Sequence, residues 1–154
     1  MYQRILVPVS SGPASECGAR EAIRLARVSG ASLRFIHVVG KSASGRERSG
    51  FAGTIDEYLA LLEALDRECA VIAAGLRELA EAAGVNFDVV LRSTSDGTPC
   101  EWVVAEALGW RADLIVMGAE PAGGVGLRPG SHGARILQSS PVPVMVISPR
   151  VCHS

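Results

Sequence analysis

Short apolar runs alternate along the whole chain with longer segments in which apolar residues recur every three or four positions. That alternation is the strongest constraint on the fold, because the two periods demand strands and helices in turn. Ile5-Leu6-Val7-Pro8-Val9 suits a strand buried on both faces. Ser10-Ser11-Gly12-Pro13 breaks it, and proline fits the first turn of a helix, where its missing N–H is not needed. That helix is expected to run to about Ser29, with Cys17, Ala22, Leu25 and Ala26 on one face and Gly30 closing it. Ser32 to Val39 predicts a second strand. Residues 40–54, rich in glycine, serine and charge, are expected to form a mobile surface loop.

The spacing of Leu59, Leu62, Cys69, Ile72, Ala73, Leu76, Leu79 and Ala80 predicts one long helix from about Ile55 to Ala83, ended by Gly84. Asn86 to Leu91 is the third strand. Thr98-Pro99-Cys100-Glu101 combines a cap, a proline at the first helical position and a glutamate that can reach back. Val103, Val104, Ala107 and Leu108 are expected to bury that helix's inner face. Asp113 to Met117 is the fourth strand, and the loop from Gly118 to Gly130 carries Gly123, Gly124 and Gly126. A short helix from about Ser131 stops before Pro141, and Val142 to Ile147 is the last strand.

Strands that alternate with helices must pair in parallel, since each helix returns the chain across the sheet. The fold class is therefore α/β: an open five-stranded parallel sheet with helices on both faces. The first and fourth strands have the most continuous apolar runs and should be central. Ligands of open α/β sheets bind at the carboxyl ends of strands where the winding direction reverses. Here that crevice would be lined by Pro8, Val9, Ser10, Met117 and Gly118.

A chain of 154 residues fits one domain, assigned to residues 1–150 with a tail at 151–154. Fifteen basic residues against 16 acidic ones, with no basic block, give no support for nucleic acid or a membrane surface as partner. The N-terminus leads directly into a strand with no signal-peptide pattern, so a cytoplasmic location is expected. Cys17, Cys69 and Cys100 fall in helical patterns, where small buried thiols are expected, and Cys152 lies beside His153 in the tail. No cysteine or histidine spacing suits a metal, and Trp102 and Trp110 are read as packing or dimer-contact residues.

Gly130-Ser131-His132-Gly133 opens a short helix after the glycine-rich loop. Two readings stand. Unpaired amides and the positive end of the helix dipole favour an anion there; alternatively this is an ordinary surface loop closed by a serine cap.

Leu114-Ile115-Val116-Met117-Gly118, the stretch Gly130-Ser131-His132-Gly133-Ala134-Arg135 through Pro141-Val142-Pro143-Val144 to Ile147, the opening Ile5 to Val9 and the pair His37-Val38 together resemble the universal stress protein family. The resemblance covers essentially the whole chain. It implies a Rossmann-like sheet of the adenine nucleotide alpha hydrolase-like kind, usually a homodimer through its last strand, here Val142 to Ile147. Some members bind ATP and others do not. Carried over by position, Pro8, Val9, Ser10 and Val38 would surround base and ribose, and Gly118, Gly130, Ser131 and His132 would face the phosphates, with Met117 lining the site and Mg²⁺ accompanying the nucleotide. Val38 can equally be a core valine, and His37 a satisfied histidine near the sheet.

Three departures from the family's ATP loop, G-x2-G-x9-G-[ST], are visible. Ser10 stands where an aspartate is expected, Pro121 falls at the second motif glycine, and 11 residues separate Gly118 from Gly130, one fewer than the motif gives. Serine supplies no charge, and proline offers no N–H to a phosphate. The implied function is a non-catalytic stress-response protein with ATP in a degenerate glycine-rich loop and an unknown protein partner. The alternatives are a dimeric interaction protein that binds no nucleotide, and an ATP-hydrolysing enzyme. A phosphoacceptor receiver is excluded by the missing acidic cluster at the end of the first strand.

Overall fold

Ile5, Leu6 and Val7 are all fully buried, as a central strand covered on both faces requires. The computed structural model describes residues 2–10, 13–39, 54–65, 67–93, 99–119 and 132–148. Their elements are β1 (Arg4–Val9), α1 (Pro13–Ser29), β2 (Ser32–Val39), α2 (Ile55–Leu65), α3 (Arg67–Ala82), β3 (Phe87–Ser93), α4 (Pro99–Trp110), β4 (Leu114–Gly118), α5 (His132–Ser139) and β5 (Val144–Ile147). The sheet is parallel throughout, in the order β3-β2-β1-β4-β5. The first and fourth strands are indeed interior, and the winding direction reverses between them.

Successive residues of β1 serve opposite faces. Ile5, Val7 and Val9 pack with Ala19, Ala22 and Ala26 of α1 and with Leu76 and Ala80 of α3. Leu6 packs on the other face with Val103 and Ala107 of α4 and Ile136 of α5. Asp113 joins the two central strands at their base, its carboxylate accepting from the amides of Gln3 at 2.8 Å and Arg4 at 3.0 Å.

The single helix expected over 55–83 is two. A continuous helix rising ~1.5 Å per residue would put Asp56 and Arg77 about 31 Å apart. Instead the Arg77 guanidinium meets the Asp56 carboxylate at 2.6 Å, so α3 folds back along α2. Hydrogen bonding to Glu81, and then to Asp56, raises the Arg77 pKa. The apolar stripe serves two clusters accordingly. Tyr58, Leu62 and Ala70 pack with Leu91, while Leu76 and Ala80 reach the main core.

Other expectations need correction. Leu108 is 61% exposed and Leu79 lies at the surface, so neither belongs to the inner face of its helix. β5 starts at Val144 rather than Val142, because Ser140 and Val142 close a local turn: the Val142 amide donates to the Ser140 hydroxyl, which donates to the Val142 carbonyl. Cys17 is not a thiol but is disulfide-bonded, its sulfur 3.7 Å from the Ser148 carbonyl oxygen. The 40–53 segment and the tail lie outside the described residues.

Candidate functional site

The paired registers place one residue from each strand in a row at the sheet's carboxyl edge. Val9 is level with His37, His37 with Leu91, and Gly118 with Ile147. Continuing the register of Leu6 with Ile115 by three residues brings Val9 opposite Gly118. These two strand ends flank the reversal point, as the sequence predicts.

Helix α1 begins directly after β1 and lies against the end of β4, backbone on backbone. A Cβ placed on Gly118 would overlap the carbonyl of Ala14, and one placed on Gly18 would lie 2.5 Å from the Gly118 nitrogen. Gly118 is thus required by packing, whatever else it does. Beyond it the Ala119 amide donates to the Ile147 carbonyl at 2.9 Å, tying β4 to β5 past the last ladder pair.

At the end of β1, side chains hold the peptide that links Val9 to Ser10. His37, buried in β2, sets its Nδ1 2.8 Å from the Val9 carbonyl oxygen. A carbonyl only accepts, so this ring nitrogen carries the proton and donates. The Ser10 amide donates to the hydroxyl of Ser15 at 2.7 Å. Ser15 lies in the first turn of α1, where a side chain is well placed to reach back toward the preceding segment.

The expected site residues therefore divide. Val9 and Met117 are core side chains, on the α1 and α4 faces respectively. Pro8 is partly buried, and Val38 packs partly buried against the α4 face, in line with its core reading. Ser10 is exposed at the mouth. His132 opens α5, while Gly130 and Ser131, with Pro121 and the glycines of the loop, lie outside the described residues. His37 is a satisfied histidine, as expected. Ser15 escaped sequence reasoning; a serine three residues into a proline-started helix was its only signal.

A small recess of about 10 Å³ lies away from this edge, bounded by Phe35, Ile55, Tyr58, Leu76 and Phe87 and touching the site only at Val9. Its walls are apolar apart from Arg77, so it is a packing gap beneath α2 and α3 rather than the crevice at the strand ends.

Residues 1–148 match the model of the universal stress protein family. The chain belongs to that family. As a universal stress protein it is 28% identical over 152 residues to universal stress protein MJ0531 of Methanocaldococcus jannaschii, covering 96% of this chain and 82% of that one. A universal stress protein solved in complex with cAMP superposes with a TM-score of 0.67 at 20% identity, over 95% of this chain and 97% of the other. The universal stress protein of Archaeoglobus fulgidus in complex with dAMP gives 0.63 at 19% identity, over 95% and 98%. At these identities the two structures bear on the fold, which they share with this chain.

Proposed function

We propose that this universal stress protein is non-catalytic and binds an adenine nucleotide, ATP among them, across the carboxyl ends of β1 and β4. The supporting observation is the position of Ser10, carried to the mouth of the reversal point by a peptide held from both sides. Relatives of the same fold were solved with cAMP and dAMP, so an adenosine moiety is the part of the ligand with most support.

The described residues suit that moiety. Pro8 and Val38 offer partly apolar surface on one side of the strand ends, and the Ser10 hydroxyl is an uncharged hydrogen-bonding group for a ribose. Phosphates would fall to Gly118, Gly130, Ser131 and His132. No carboxylate stands at residue 10, so Mg²⁺ would arrive on the phosphates rather than be held at the end of β1. The same substitution leaves a hydrolase without the acid that could fix a metal or a water there, which favours a binding role over catalysis. A cytoplasmic stress-response role, exercised as a homodimer with a protein partner, completes the proposal.

Calorimetric titration of nucleotide-stripped protein with ATP and Mg²⁺, AMP and cAMP tests it. Saturable binding in the micromolar-to-millimolar range without phosphate release is expected, and mass analysis of natively purified protein should find adenine nucleotide. No heat with any of the three at millimolar concentration would leave a partner-binding protein; rapid turnover would make it an enzyme.

A further inference from the structure

The peptide between Val9 and Ser10 is the last unit of the central strand before the chain leaves the sheet. In a parallel sheet such a group has no assured ladder partner, and a peptide plane at a strand end can turn about its flanking dihedrals. Here both of its polar groups are held by side chains from different elements. The Val9 carbonyl accepts from His37 of β2 at 2.8 Å, and the Ser10 amide donates to Ser15 of α1 at 2.7 Å. His37 is 3% exposed and the one polar residue buried to that degree among the described residues. A histidine is costly to bury unless bonded, so the bond to Val9 is integral to its place there.

We infer that Ser15 and His37 are positioning residues of the nucleotide site: together they lock the Val9–Ser10 peptide and so aim the Ser10 side chain into the crevice. This rests on the nucleotide-binding reading above. The physical consequence follows from the chain geometry. With the plane fixed, the direction in which Ser10 leaves the backbone is set before any ligand arrives, and its ordering entropy need not be lost on binding. The amide of Ser10 already has its partner in Ser15, so its main-chain N–H is not what a nucleotide meets. Ser15 further couples this strand end to α1, whose first two turns lie close on β4 where Ala14 meets Gly118 and Gly18 meets Met117 and Gly118.

The test uses full-length protein in three forms: unchanged, Ser15→Ala and Ser15→Thr. Ser15→Ala removes the acceptor without enlarging the side chain, and is expected to weaken ATP binding roughly tenfold, as losing one hydrogen bond would. Ser15→Thr keeps the hydroxyl and should bind within about threefold of the unchanged protein. Recovery of binding in Ser15→Thr is the readout that a merely structural loss would not give, and amide hydrogen exchange followed by NMR shows that the lost bond is local. The Ser10 amide should exchange faster in Ser15→Ala, with core amides of β1 such as Leu6 unaltered. His37→Asn, whose amide nitrogen can take the place of Nδ1, should bind better than His37→Leu. If the unchanged protein binds ATP and Ser15→Ala binds it equally well, or keeps Ser10 protected, the positioning role is wrong while the nucleotide site stands. If the unchanged protein binds no adenine nucleotide, the site reading fails and this inference with it.

Discussion

Gly118 shows how one residue type supports two readings until its neighbours are known. At the end of a strand and the start of a glycine-rich loop it suggests close approach to a phosphate. The fold gives it a different necessity, since the space for a side chain is already taken by the Ala14 carbonyl. A side-chain tip could swing away; the backbone of a helix turn cannot. Gly118→Ala is therefore expected to cost about 3 kcal/mol or more, at the upper end of overpacking penalties, seen as a lower urea midpoint. Gly30 and Gly84 are needed for a different reason, positive φ values of 74° and 68° where α1 and α3 give way to the next strands.

At the scale of elements, α4 is secured by charge as well as by apolar contact. Arg34 on β2 makes paired bonds to Asp88 of β3 at 2.8 and 2.9 Å, reaches Glu106 of α4 at 2.7 Å, and stacks 4.7 Å from the ring of Trp110. Arg92 of β3 donates to the other Glu106 oxygen at 3.0 Å. Hydrogen bonding to Asp88, and then to Glu106, raises the Arg34 pKa against the opposing effect of its burial. The charged form of Arg34 is therefore favoured further. Glu106→Gln would leave two arginines competing for one amide oxygen. It is expected to destabilise by about 1–3 kcal/mol, with exchange speeding up in α4 but not α1. Trp110 is a packing residue by this geometry, one of the two readings its sequence position allowed.

At the scale of the whole molecule, the two edges of the sheet differ in character. Both β3 and β5 are edges. β3 carries Asp88 and Arg92, charges of the kind that discourage edge pairing, whereas β5 is Val144-Met145-Val146-Ile147 with none. Met145 is 37% exposed, and Leu137 of neighbouring α5 is exposed as well. A homodimer formed through β5, as proposed above, would answer this asymmetry, with two copies of one strand pairing about a twofold axis. Met145→Glu would set like charges across that axis. Sedimentation equilibrium should show the unchanged protein as a dimer and the variant shifted toward monomer; a monomeric unchanged protein would refute the pairing.

The layout of strands and helices was legible because burial imposes period: Ile5 to Val9 and Leu114 to Met117 must be interior strands, and the alternation with helices forces parallel pairing. The reversal point between β1 and β4 followed from topology alone. Periodicity could not see the break in the α2–α3 segment, since an apolar stripe continues across a hairpin as readily as along a rod; the Asp56–Arg77 contact decides it. Nor could it see that Leu108 faces outward, or that Ser15 and His37 converge on one peptide. Those facts depend on residues distant in the chain becoming neighbours in space. Local sequence encodes what a segment does with its own backbone, but a hydrogen bond between a helix turn and a strand end, or a helix carbonyl filling a glycine's missing side chain, exists only once the elements have packed.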